Sequence, residues 1–203
     1  LSLAETTGAA ERTYALVGEE DLEDLARRLI RSREFVFDVE TTSVDPLNAE
    51  IVGISFSTGE RTASYVPVAA APGGDTGLFQ PVHEARGIAL ERVREVLGPA
   101  LADESIAKIG HNIKFDCLVL EAHGFAVGGV AFDTMIASYC LDPERRSHSL
   151  DNLALEFARH RKIPYAGLFP SGAREKDIRS VPLDRLCEYS CEDADYTMRL
   201  KTL

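Results

Sequence analysis

The sequence predicts an α/β domain built on a mixed β-sheet with helices packed against it. Three observations carry that expectation. Short β-rich runs come first and then alternate with segments of helical periodicity. Two of the early runs flank Gly59 as a hairpin, which argues against a purely parallel sheet. The chain has 203 residues, 45% of them hydrophobic, enough for one domain around one substantial core.

The elements follow in order. Residues 1–12 are small and polar, a frayed lead-in, and Thr13–Val17 reads as a short edge strand. Glu19–Ile30 places Leu22, Leu25, Ala26 and Leu29 at helical spacing. Glu34–Asp38 is an apolar run ending in a carboxylate, a buried strand. Ile51–Ser57 and Thr62–Val68 form the hairpin, and the Ala-, Gly- and Pro-rich stretch Ala69–Gly77 reads as a mobile loop. Ile88–Leu101 is helical and Ser105–Ile109 is a strand. Ile113–His123 is a helix that Gly124 can cap. Phe132–Leu141 and Leu150–Arg159 read as helices, Arg161–Asp177 as irregular. Ser180 and Pro182 open a final helix.

Charge excludes little. A net −11, from 33 acidic and 22 basic residues, is opposite to that of most free-standing nucleic-acid binders. Either the partner is not nucleic acid, or bound cations and a neighbouring basic domain supply the positive field; solubility alone is also a sufficient reason for the charge. Cys117, Cys140, Cys187 and Cys191 form no CxxC pair and read as reduced, buried thiols rather than a zinc site. That fits a cytoplasmic protein. No apolar run approaches the roughly 20 residues that span a bilayer, and no signal peptide is visible, so no membrane partner is expected.

Three acidic clusters carry the chemistry. Asp38 and Glu40 lie two apart at the end of a buried strand, so both side chains leave the same face. Ligands in α/β sheets bind beyond such strand ends, and two adjacent carboxylates repel unless a cation lies between them. A solvated strand end explains the pair equally well in isolation. Asn112 and Asp116 share a face at the start of a helix, where an N-cap and a favourable first-turn charge are the plain alternatives. Tyr189 and Asp193 lie four apart beside the inward stripe Leu183, Leu186, Cys187, Ser190, Ala194 and Met198, where simple amphipathic edge residues are common.

Taken together, in this order, the clusters resemble the exonuclease motifs of the DEDD superfamily, in its tyrosine subclass. The flanking residues are similar to the proofreading domain of bacterial-type family A DNA polymerases: Phe37–Thr41, Gly110–Asp116, Glu188–Asp195, Asp133-Thr134-Met135 and His148–Ala154. The resemblance runs from about Thr13 to the C-terminus. It implies a ribonuclease H-like fold and 3′→5′ removal of nucleotides from DNA ends, single-stranded or frayed. By the same resemblance, Asp38, Glu40 and Asp193 would hold one divalent ion, and Asp38 with Asp116 a second. Tyr189 would orient the attacking water. Val44 would wedge against the terminal base, Tyr165 would pack on the terminal nucleotide, and Asn112 and the backbone near Thr41 would contact the 3′ end.

Elementary chemistry supports the same mechanism. Four carboxylates with no cationic catalytic residue describe an oxygen-ligand site for Mg²⁺ or Mn²⁺, with Zn²⁺ a third candidate. Two ions about 3.5–4 Å apart can activate water and stabilise the leaving oxygen. A phenol titrating near 10 orients water better than it deprotonates it. Two rivals stand beside this reading: a ribonuclease of the same superfamily, and a non-catalytic DNA-holding module. The chain begins at Leu1 and ends at Leu203 inside an apparent helix. The expectation is therefore a single domain, monomeric in isolation, cut from a longer nucleoid-associated polymerase.

Overall fold

The computed structural model describes residues 12–70, 87–170, 172 and 176–203. Residues 1–11 of the lead-in and 71–77 of the Ala-, Gly- and Pro-rich stretch lie outside the described residues. Six strands form one sheet: β1 (Thr13–Leu16), β2 (Glu34–Thr41), β3 (Ile51–Gly59), β4 (Thr62–Pro67), β5 (Ala107–Gly110) and β6 (Val130–Asp133). Their spatial order is β1-β4-β3-β2-β5-β6. β2, β3 and β4 pair antiparallel, while β1 joins β4, and β5 and β6 extend from β2, all in parallel. The sheet is mixed, as the hairpin required, and β1 is an edge strand.

Side-chain alternation divides the molecule into two layers. Phe35, Phe37 and Val39 of β2 point to one face, where they pack with α1 (Leu22–Arg31), α2 (Leu90–Ala102) and α3 (Ile113–Ala122). Val36 points to the opposite face, against Leu186, Cys187, Cys191, Ala194 and Met198 of α6 (Leu183–Thr202). Period two then sends Asp38 and Glu40 to the α6 face as well. The second half of α6 is buried nearly all round, wider than the expected stripe, because α5 (Leu150–Phe157) covers its other side.

α3 ends as its sequence dictates. Gly124 has φ +79°, its N–H donates to Glu121 O at 3.0 Å, and Phe125 N–H donates to Leu120 O at 3.0 Å, a Schellman closure. The region after it departs from expectation. The helix expected over Phe132–Leu141 is present as α4 (Thr134–Leu141), but its first two residues belong instead to a short strand, β6 (Val130–Asp133). Gly129, at φ +67° and with Ile106 O where a Cβ would sit, turns the chain alongside β5, and backbone pairing there overrides the helical pattern. β6 is only four residues long and half exposed, too short for periodicity to reveal. Cys140, on the outer helix α4, is exposed rather than buried, and all four thiols are free. Among the described residues, no helix is long and apolar enough to cross a membrane.

Candidate active site

The site opens where β2 outruns its neighbour. β5 pairs only with Glu34, Phe35 and Val36, so the last residues of β2 have no strand on that side. The free N–H of Val39 is taken instead by Asp116 Oδ1 of α3, at 3.1 Å. This hydrogen bond brings the second acidic cluster to the first. From the other face, α6 delivers Asp193. One carboxylate oxygen each from Asp38, Glu40 and Asp193 lie within 4.8 Å of one another. Asp116, buried at 4% exposure, stands beside Asp38.

Burial and mutual repulsion dominate the electrostatics. Burial pushes Asp38 up to about 6, with Lys162 opposing. Burial also lifts Asp193 to about 7, Lys162 again opposing and Asp38 adding to the rise. Glu40 is raised by burial and then by Asp38 and Asp193, while a hydrogen bond from Ser190 Oγ opposes at 2.5 Å. Asp116 is raised by burial and then by Asp38, against the Val39 N–H. Carboxylates held this way repel one another, and an all-oxygen donor set of this kind fits a hard divalent cation.

Tyr189 lies one turn before Asp193 on α6. Its hydroxyl is pushed upward by burial and then by Asp193, Glu40 and Asp38, so it stays a neutral phenol. Its ring meets the ring of Tyr165 edge to face at 6.4 Å, and Tyr165 meets Phe169 at 5.2 Å. Tyr165 is 41% exposed, in a short 3-10 turn over Tyr165–Leu168. Thr41 sits at a bulge in β2, its hydroxyl donating to Ser43 O at 2.9 Å. Val44, in the loop beyond, is 95% exposed; the fold does not seat it against the cluster.

Asn112 differs from a plain N-cap. Its backbone is left-handed, φ 64° and ψ 39°, and its side chain caps nothing. The cap of α3 is Asp133, which accepts from Asn112 N at 3.1 Å and Ile113 N at 2.9 Å. The same carboxylate caps α4 through Met135 N and Ile136 N. Asp133 thus fixes both helix starts and leaves the Asn112 amide uncommitted.

Two site residues were not singled out from sequence. Ser190 falls within the inward stripe of α6, and a hydroxyl among apolar residues, three before Asp193, is the signal the sequence offers for it. Lys162 is fully buried and ion-paired to Asp193. It places a cation beside the four carboxylates, as a partner of Asp193. Nothing in the irregular run around it distinguishes it from a surface lysine, because only the tertiary fold turns it inward.

A family model described as 3′-5′ exonuclease matches residues 15–202. The chain is 34% identical over 200 residues to DNA polymerase I of Pseudomonas aeruginosa, covering 97% of this chain and 21% of that protein. It is 37% identical over 177 residues to DNA polymerase I of Rhizobium leguminosarum, covering 81% of this chain and 17% of that protein. It therefore spans about a fifth of the length of these relatives. The solved structure of Brucella melitensis NrnC superposes with a TM-score of 0.61 at 22% identity, covering 95% of this chain and 79% of that one, which supports the ribonuclease H-like fold. The chain belongs to the 3′-5′ exonuclease family, in the form of that domain found within DNA polymerase I.

Proposed function

We propose that this domain removes nucleotides one at a time from the 3′ end of single-stranded or frayed DNA, as the proofreading part of a longer polymerase. The observation that carries the reading is the meeting of Asp38, Glu40 and Asp193 within 4.8 Å, with Tyr189 one helical turn away. In this reading Asp38, Glu40 and Asp193 would hold one Mg²⁺ or Mn²⁺, and Asp38 with Asp116 would hold a second. Such a pair supplies an activated water and charge stabilisation at the leaving 3′ oxygen.

The remaining work falls to the chain itself. Tyr189, kept protonated, holds the attacking water by hydrogen bonding rather than by taking its proton. Ser190 fixes the rotamer of Glu40. Tyr165 offers its exposed ring to the terminal base, an arrangement that tolerates any sequence because every base has a π-face. Asn112, whose side chain is free of capping, and the backbone at Thr41 would contact the terminal nucleotide, and Val44, exposed in the loop after β2, would act as the wedge only once DNA is bound. A linked polymerase domain belongs to the same proposal, on the strength of the relatives' greater length, and a cytoplasmic setting follows from the polymerase role itself.

The test uses a 5′-labelled DNA oligonucleotide with Mg²⁺. A ladder shortening from the 3′ end, abolished by Asp193→Ala with the fold intact, is expected. Faster shortening of the matching RNA would favour an exoribonuclease instead. No shortening of either would favour a DNA-holding module.

A further inference from the structure

Lys162 is a built feature of the cleft. Its side chain has no exposed area, its ammonium pairs with Asp193, and a second carboxylate, Asp151, lies 3.4 Å away. The segment that carries it is clamped. Ile163 N–H donates to Glu192 Oε2 at 2.7 Å, and His160 Nε2 meets Glu192 Oε1 at 2.5 Å. His160 also stacks on Tyr196 with ring centres 4.4 Å apart. The ammonium stands 5.3 Å from the centre of the Tyr189 ring.

A buried ammonium is costly unless it is paired, and a nest of carboxylates is costly unless a cation enters it. Lys162 answers both costs at once. It also sets a conflict, because a divalent ion held by Asp38, Glu40 and Asp193 needs the same carboxylate and repels the same ammonium. Asp151, in the first turn of α5 and half exposed, is the alternative partner within reach.

We propose that Lys162 is an internal counter-ion: a positioning residue that holds Asp193 while the metal is absent and passes to Asp151 when the metal binds. This rests on the reading that the cluster binds divalent ions. Lys162 then keeps the cleft assembled without metal and, by competing for Asp193, weakens metal binding.

The experiment is Mn²⁺ titration of metal-stripped protein by electron paramagnetic resonance, with parallel thermal melts. Lys162→Met should bind Mn²⁺ more tightly, on the order of tenfold, because a positive charge beside the ion is gone. Its metal-free melting temperature should fall below wild type. Lys162→Arg, which keeps the charge, should bind close to wild type. Asp151→Asn removes the alternative partner, so it should bind Mn²⁺ more weakly, and it decides the matter if Lys162→Met does not fold. Binding by Lys162→Met equal to or weaker than wild type, or unchanged binding by Asp151→Asn, overturns the counter-ion role. Asp38→Asn is the control for the underlying reading. If Asp38→Asn binds Mn²⁺ as wild type does, the cluster is not the ion site and the proposal for Lys162 falls with it.

Discussion

Replacing Asp38 by Asn should stabilise the metal-free protein at alkaline pH and destroy its response to metal. Asp38 is held at about 6 against an ordinary 3.8, because burial disfavours its charge more than Lys162 favours it. The folded state therefore keeps the proton longer than the unfolded chain does. Stability is lost as the pH rises from about 4 through about 6, and the full cost persists above that. At about 1.4 kcal/mol per pH unit, the cost at pH 8 is roughly 3 kcal/mol. Burial and the Lys162 charge account for the Asp38 shift, with no hydrogen bond contributing, so Asn keeps the shape and breaks no bond. For a chain of this length the gain corresponds to roughly 6–12 °C in melting temperature. The assay is a thermal melt of stripped protein at pH 8 and at pH 4.5, with and without Mn²⁺. Asp38→Asn should melt higher at pH 8 without metal and close to wild type at pH 4.5. Wild type should gain about 2.7 kcal/mol when Mn²⁺ is a hundredfold above its dissociation constant, a gain the variant largely loses. If Asp38→Asn melts at or below wild type at pH 8 without metal, burial of the Asp38 charge does not cost the fold what its raised pKa implies.

Three further substitutions probe the same architecture. Tyr189→Phe should slow single-turnover DNA hydrolysis by roughly 10–1000-fold while leaving the Mn²⁺-induced melting shift intact; a wild-type rate would remove Tyr189 from water positioning. Asp133→Ala removes the cap of two helices at once and should cost roughly 2–4 kcal/mol in urea unfolding. A loss below about 0.5 kcal/mol would mean that neither helix depends on that carboxylate. Ser190→Ala removes the hydroxyl that steadies Glu40 and should lower metal-free stability at pH 8 by about 1–2 kcal/mol, read from urea unfolding; no change would show that Glu40 is oriented by other groups.

The primary structure settled the components of the site. Period two fixes Asp38 and Glu40 on one face of β2, and an i,i+4 spacing fixes Tyr189 and Asp193 on one flank of α6, because both relations follow from backbone geometry alone. The mixed sheet was legible in the hairpin around Gly59, and the stop of α3 in Gly124, since each depends on local backbone freedom. Tertiary structure decided what no local pattern encodes. β6 exists because Gly129 turns the chain alongside β5, and pairing with that strand draws in Phe132 and Asp133, the first two residues of the expected helix. Asp116 reaches the cluster because β5 stops short and leaves the N–H of Val39 free. Asp133 takes over the cap expected of Asn112 because β6 ends between two helix starts. Lys162 becomes part of the site because Glu192, thirty residues later in the chain, clamps its segment inward. Local geometry is written in neighbouring residues, whereas a buried ion pair depends on which distant surfaces the core brings together.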